Sequence, residues 1–293
     1  MIRLANYKEN FKNYIAGKKY DYDVLKEGRG FDTNFLLPIS INEKADKTLA
    51  DNNIFRRYGT IMPLSAGAGT IYIVKENGKA KFVAEEDLLP ADSDSEERIK
   101  IVIHKVGSIA KLNENFIHDA GFDVENYIST KFTKRFAKAE EDAIINGSGD
   151  NEPKGILNYD IGKTESSLSY DSLVSLYFSL NKDYRDDAIF VMSDETMMKV
   201  RLITDSNGRP IFDISTNTIF GKKVEVTNNI ADGTVLFGDF SYLWFVIRKP
   251  LAVSVLEEIY AVNGNIGYKG TEYVDAHLTD VNAVKALVIH TEE

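Results

Sequence analysis

Three groupings in this 293-residue chain have residue types that could support chemistry, and each lacks a required member. Residues 147–154, Gly-Ser-Gly-Asp-Asn-Glu-Pro-Lys, offer glycines and a lysine, the raw material of a phosphate-binding loop. Such a loop needs Gly-x-x-x-x-Gly-Lys-Ser/Thr opening a helix, so that free backbone N–H groups face the phosphate. Here Lys154 is followed by Gly155, and the glycines follow a helical pattern instead of preceding one. The four histidines, His104, His118, His277 and His290, have no paired metal-ligand spacing. Zero cysteine excludes thiolate ligands, disulfides and thiol catalysis. Ser148 sits in no Gly-x-Ser-x-Gly elbow. The carboxylates Glu140, Glu141 and Asp142 read as a solvated or interface face, not an acid/base pair. The expectation is no catalytic residue, no cofactor and no metal.

Composition narrows the class. Hydrophobic residues make up 43% and aromatics 11%, enough for a packed core and unlike a disordered chain. The length suits two domains or one elaborated unit. No apolar run approaches the ~20 residues of a membrane-spanning helix. The densest, residues 235–247, is short and carries Asp239. The opening MIRLANYKENFKNY contains no signal-peptide core. Net charge is −10, from 45 acidic and 35 basic residues. Nucleic-acid affinity comes mostly from Lys and Arg neutralising phosphates, so sequence-specific recognition is disfavoured. Enclosing nucleic acid without gripping it is compatible with this charge.

The element that must position these groups is residues 123–157. Val124, Ile128, Phe132, Phe136, Ala139 and Ala143 recur at intervals of four, four, four, three and four. That spacing puts them on one stripe of a helix with Asp123 as its N-cap. A helix over 123–146 would be roughly 30–36 Å long at ~1.5 Å per residue. Gly147 and Gly149 are expected to supply the left-handed exit, and Pro153 to block continuation. Lys131, Lys134, Arg135 and Lys138 fall within about 100° of arc beside the stripe, which as residues alone reads as a solvated face. Glu140, Glu141 and Asp142 crowd the C-terminal end, where the helix dipole disfavours anions. Cations from a neighbouring molecule would offset that cost.

On the N-terminal side, residues 1–30 show Tyr7, Tyr14, Tyr20 and Tyr22 without a sustained period. They read as an extended or partly helical arm, ordered against a partner. Residues 46–58 read as a short helix with Leu49, Ile54 and Phe55 as contacts. Residues 70–75 have strand composition, Asn77-Gly78 is a two-residue hairpin signal, and residues 79–84 return. A segment with seven acidic residues between Glu85 and Glu97 leads into an alternating strand, 98–106. A two-stranded excursion with so little apolar surface is marginal alone. It requires support, from its own chain as a surface hairpin or from a neighbour. Helices at 170–180 and 194–202 follow, with strands at 188–192, 223–227, 234–237, 243–247 and 251–256. That mixture reads as an α+β domain.

A long helix ending in Asn146-Gly147-x-Gly149, then Pro153-x-Gly155-Ile156-Leu157, resembles the major capsid proteins of tailed bacteriophages. Their fold is the Hong Kong 97 type, shared with encapsulins. Phe82-Val83-Ala84-Glu85, Pro90, Ser93-Asp94 and the strand from Ile99 to Ile103 resemble that family's projecting extended loop. Residues 205–209, 220–224 and 237–241 continue the likeness in the family's order, so it covers roughly 30–290. Many family members carry a long, later-cleaved scaffolding segment at the N-terminus, where this chain shows a short arm.

The resemblance implies an α+β fold with an N-terminal arm (1–30) and an extended β-hairpin loop (70–106). It further implies a peripheral domain (31–69, 107–165 and 266–293) with its spine helix at 123–146, and an axial domain (166–265). The final strand would pair back beside the spine helix. The implied function is a non-enzymatic major capsid protein, assembled in the host bacterial cytoplasm and resident in the virion capsid. It would form pentamers and hexamers, then an icosahedral shell enclosing double-stranded DNA, with scaffold, portal or decoration proteins as partners and no membrane. The assembly loop would act through Lys75, Asn77, Gly78, Lys79, Lys81, Phe82, Glu85, Pro90 and Asp94, lying over a neighbouring subunit. The strip Lys131, Lys134, Arg135 and Lys138 would face packaged DNA, contacting it non-specifically. Two alternatives stand beside this reading: an encapsulin-type shell around a protein cargo, and a stand-alone hydrolase or binding protein.

Overall fold

The helix expected from the stripe is present as Val124–Asn146, 23 residues or about 35 Å, and both large sheets are built against it. The computed structural model describes residues 2–26, 35–36, 48–64, 69–75, 95–117, 123–205 and 207–289. Asp123 caps the spine helix by accepting from the Asn126 N–H at 3.1 Å. Val124, Ile128, Phe132 and Phe136 are buried as expected. The last turns differ: Ala139 is exposed, and burial passes to Glu140, Glu141, Ile144 and Ile145. The reason is a change of neighbours. The helix leaves one sheet there and enters a junction between two, so its buried arc rotates and widens.

The first sheet holds β5 (His104–Asn113), β13 (Asn265–Leu278), β12 (Leu243–Leu256) and β1 (Phe35–Leu36), in the order β1-β12-β13-β5. Strand β2 (Thr60–Pro63) lies parallel to the first part of β12. Phe132 seats on this sheet at Gly270, where an added Cβ would stand 3.0–3.2 Å from its ring. The two strands expected at 243–247 and 251–256 are one. Its register shifts around Lys249, beside Pro250, which has no N–H for the ladder.

The second sheet runs β6-β14-β11-β7-β10-β9-β8. Its members are β6 (Lys163–Ser166), β7 (Ile189–Met192), β8 (Phe212–Asp213), β9 (Thr218–Ile219), β10 (Lys222–Val226), β11 (Thr234–Gly238) and β14 (Val284–Ile289). Helices Tyr170–Ser179 and Asp194–Arg201 close one face through Leu173, Leu176, Met197 and Val200. The other face meets the end of the spine helix through Ile144 and Ile145.

Sheet membership cuts across the expected division of the chain. Strand β12, placed with the axial unit, lies in the first sheet beside β13 and, at one end, β1. Strand β14, expected with the peripheral unit, pairs with β11 and β6 in the second, where Val284 and Ala286 lie in one cluster with Ile144 and Ile145 of the spine helix. Both are apolar strands of ordinary composition, and such a pattern does not say which sheet it will join.

The N-terminal arm is helical in part, as expected, but it is supported differently. Residues Ile2–Ile15 form a helix, and Phe11, Tyr14 and Ile15 are buried in the same cluster as Phe132 and Tyr268. The Tyr14 hydroxyl accepts from the Val255 N–H at 2.7 Å, and the Tyr268 hydroxyl donates to the Ile15 carbonyl at 2.8 Å. The arm is therefore ordered against its own chain. Tyr7, Phe11, Tyr14 and Ile15 have the i, i+4, i+7, i+8 spacing of a helix face, hidden by counting tyrosines alone.

Strands β3 (Thr70–Lys75) and β4 (Ser95–Lys100) form an antiparallel ribbon, from Thr70 opposite Lys100 to Lys75 opposite Ser95. Among the described residues they pair only with each other. The strand expected over 98–106 is two strands in two sheets. The break at 101–103 is held by buried Ile101 and by the Val102 N–H, which donates to Asp275 Oδ2 at 2.8 Å. The hairpin at Asn77-Gly78 and its return fall outside the described residues. So do Lys79, Lys81, Phe82, Glu85, Pro90 and Asp94.

Candidate functional site

The helix exit is a closed loop, folded back on the last helical turn. The spine helix ends when the Gly147 N–H donates to the Ala143 carbonyl at 2.9 Å. Gly147 has φ −52° and ψ 139°, so it is not left-handed as expected. Glycine is required there by crowding, because an added Cβ would strike the Pro153 and Ala143 carbonyls. Gly149 does take the left-handed conformation, at φ 84°. The chain returns through a bridge between Ser148 and Lys154, and the Gly155 N–H donates to the Gly147 carbonyl at 2.8 Å. Asn158 Nδ2 donates to the carbonyls of Asn146 and Gly147, at 3.1 and 2.7 Å. These carbonyls belong to the helix end, whose last carbonyls have no partner within the helix. Asn146 Nδ2 reaches Asp142 and the Asn229 carbonyl, at 2.8 and 2.7 Å. Hydrogen bonds from the Ser148 N–H and hydroxyl hold the Glu152 carboxyl below its ordinary pKa.

The close approach of Gly147 and Gly155 makes a prediction. A Cβ on Gly155 would lie 2.5 Å from the Gly147 nitrogen and 2.6 Å from the Ile145 carbonyl oxygen. Both are backbone atoms that cannot rotate away. Gly155→Ala is expected to destabilise the chain by about 1–3 kcal/mol, seen as a lowered urea midpoint. A midpoint equal to wild type would show that the exit loop yields freely.

Glu140 and Glu141, expected on a solvated or interface face, are buried, and the cation that answers Glu140 belongs to the same chain. Short helix Ile54–Tyr58 brings Arg56, 5% exposed, against the end of the spine helix. Arg56 Nε and Nη2 donate to Glu140 Oε2 and Oε1 at 2.8 and 2.7 Å. Its Nη2 also donates to Glu272 Oε1, on β13, at 2.8 Å. The guanidinium lies 4.6 Å from the Phe245 ring centroid. Burial alone would lower its pKa, and the charges of Glu140 and Glu272 more than offset this and raise it. Glu141 accepts from the Ile54 N–H at 3.0 Å, from the Thr227 hydroxyl, and from Asn229 Nδ2 at 3.2 Å. Asn53 caps the short helix, accepting from the Phe55 and Arg56 N–H groups. Sequence reasoning missed Arg56 and Glu272. The signal for Glu272 was its place among inward-facing Gly270, Val274 and Ala276 on one strand.

Beside this cluster, a cavity of about 230 Å³ is lined by His104, Glu140, Ala143, Asn151, Glu152 and Phe245, among others. His104 and His277, scattered in sequence, converge on Asp275, with Nε2–Oδ distances of 3.8 and 2.8 Å. Among the described residues no group of side chains could hold a metal ion. His118 and His290 lie outside those residues. The basic strip is on the helix surface: Lys134, Arg135 and Lys138 are exposed and Lys131 is half-buried. Lys131 Nζ donates to the Tyr127 hydroxyl at 3.1 Å. Arg135 Nη1 reaches the Ser108 hydroxyl and the Ile109 carbonyl, each at 3.1 Å. Of the proposed assembly-loop residues, only Lys75 is described, at the outer end of the ribbon.

The phage capsid family matches residues 33–289, which takes in the spine helix, the exit loop, the ribbon and both sheets. The chain belongs to the phage capsid family. Solved capsids share its fold. The capsid of an empty GTA particle aligns with TM-score 0.70 and 22% identity, over 82% of this chain and 90% of that one. Gordonia phage Cozz aligns with TM-score 0.64 and 13% identity, over 82% and 91%. A virus-like particle from Pyrococcus furiosus aligns with TM-score 0.54 and 16% identity, over 84% and 98%. No curated protein matches the chain. The fold is thus the α+β Hong Kong 97 type, and this capsid-family chain is a structural protein of a phage shell.

Proposed function

We propose that this capsid-family chain is the major capsid protein of a tailed phage, assembling through pentamers and hexamers into an icosahedral shell around double-stranded DNA. The observation that carries the reading is the β3–β4 ribbon, which among the described residues joins neither sheet and places no side chain in the buried clusters. A ribbon of this kind needs a surface outside itself, and a neighbouring subunit supplies one. Electron microscopy of the purified protein, with its scaffold where it has one, should show rings of five or six and closed shells. A persistent monomer across salt, pH and crowding, with those partners present, would sink the proposal. Mass spectrometry of particle contents separates a DNA-filled head from a compartment around a protein cargo.

In this reading the spine-helix strip faces the packaged DNA. Arg135 is engaged with β5 and Lys131 with Tyr127, so Lys134 and Lys138 are the residues to reverse. Lys134→Glu with Lys138→Glu should spare folding and empty shells while reducing DNA retention, measured as the ratio of nucleic acid to protein in purified particles. An unchanged ratio would leave the strip as an ordinary solvated helix face.

A further inference from the structure

The charges buried around Arg56 do not balance. Arg56, Glu140 and Glu272 are 5%, 3% and 1% exposed, so one guanidinium faces two carboxyl groups with almost no water to compensate. Glu140 takes the bidentate contact and a further, longer one from Asn53 Nδ2 at 3.3 Å. Glu272 accepts from Arg56 through Oε1 and lies within hydrogen-bonding reach of the Glu140 carboxyl, while its Oε2 is buried without a partner. An ionised carboxylate in that setting would leave a buried charge half-solvated, which is strongly unfavourable. A protonated carboxyl removes the excess charge and turns the orphaned oxygen into a hydroxyl.

The elements packed around Glu272 supply few other charges. The short helix contributes Arg56, and the spine helix contributes Glu140. Glu141 is turned away onto the Ile54 N–H, Thr227 and Asn229. The cavity that Glu140 lines is also lined by His104 and Lys105 from β5 and Glu152 from the exit loop. On β13 itself, Asp275 is occupied by Val102, Ala276 and the two histidines. None of these puts a second cation on Glu272.

We propose that Glu272 is a proton-held clamp: while it carries a proton, Arg56 ties the short helix, the spine helix and β13 together, and loss of that proton loosens the junction. Burial, then the charge of Glu140, push the Glu272 carboxyl well above the usual range, and Arg56 only partly opposes them. The sign follows from linkage. Native Glu272 holds a proton that the unfolded chain has released, so stability is full below the ordinary carboxylate range. It falls as pH rises towards the folded pKa. The clamp is a property of the single chain and does not depend on the assembly reading.

The test compares the full chain with Glu272→Gln, a neutral stand-in for the protonated form. Urea denaturation across pH should show wild type losing up to about tenfold in its folding equilibrium constant per pH unit, relative to the variant. Glu140→Gln leaves one carboxylate for one guanidinium and should weaken the same dependence. Identical pH profiles for wild type and Glu272→Gln would overturn the proposal. Should either variant fail to fold, infrared spectroscopy of isotope-labelled wild type decides. A protonated glutamate carbonyl band at neutral pH that is kept in Glu125→Gln, whose buried carboxyl is also raised, and is lost at alkaline pH supports the clamp; its absence at neutral pH, or its loss in Glu125→Gln, refutes it.

Discussion

Arg56→Met is expected to destabilise the chain by about 3–5 kcal/mol, the usual consequence of removing one partner from a buried ionic cluster. The side chain makes three hydrogen bonds of 2.7–2.8 Å to Glu140 and Glu272. Methionine replaces much of the packing against Phe245 but leaves Glu140 and Glu272 without a cation. Packing loss and charge loss can be separated. In a background already carrying Glu140→Gln and Glu272→Gln, the same substitution should be much less damaging. Urea midpoints of the four chains give the coupling directly. A single-variant loss below about 1 kcal/mol would mean the cluster is solvated and the charges are answered by water.

Removing the ribbon's outer part should abolish assembly and hardly touch the subunit. Lys75 stands opposite Ser95 at the end of the β3–β4 ladder, so residues 76–94 can be replaced by a two-residue Asn-Gly turn without disturbing the pairing below. The root stays anchored by Ile101 and by the Val102–Asp275 hydrogen bond. Change confined to such a surface feature is expected to move monomer stability by less than about 0.5 kcal/mol, whereas shells should be lost from micrographs. A loss of several kcal/mol in the monomer would show that the excised residues pack on their own chain. Normal shells from the shortened chain would show that no neighbour needs them.

Much of this was legible in the chain itself, wherever the determining interaction is local. The spine helix follows from a four-residue apolar recurrence and an Asp123 cap, because helix phase and capping depend on neighbours within a turn. The exit at Gly147 was readable as a stop, although its backbone is extended and its glycine is dictated by crowding against the Ala143 and Pro153 carbonyls. The absence of a phosphate loop or a serine elbow was equally readable, since each of those motifs is contiguous. Order along the chain was enough to suggest the phage capsid family, which the match over residues 33–289 then establishes.

What only the tertiary structure decided are pairings between distant segments. Alternation marks β12 and β14 as strands, but hydrogen-bond partners in a sheet are chosen by the whole assembly of strands, so their sheets could not be assigned from pattern. The N-terminal helix is ordered because Tyr14 and Ile15 meet Val255 and Tyr268, some 240–250 residues later. Glu140 looked like a surface acid because its composition is that of one. Its burial depends on Arg56 arriving from 84 residues earlier and Glu272 standing opposite. A charged side chain reveals its environment only through its partner, and a partner brought in by folding is invisible to spacing along the chain.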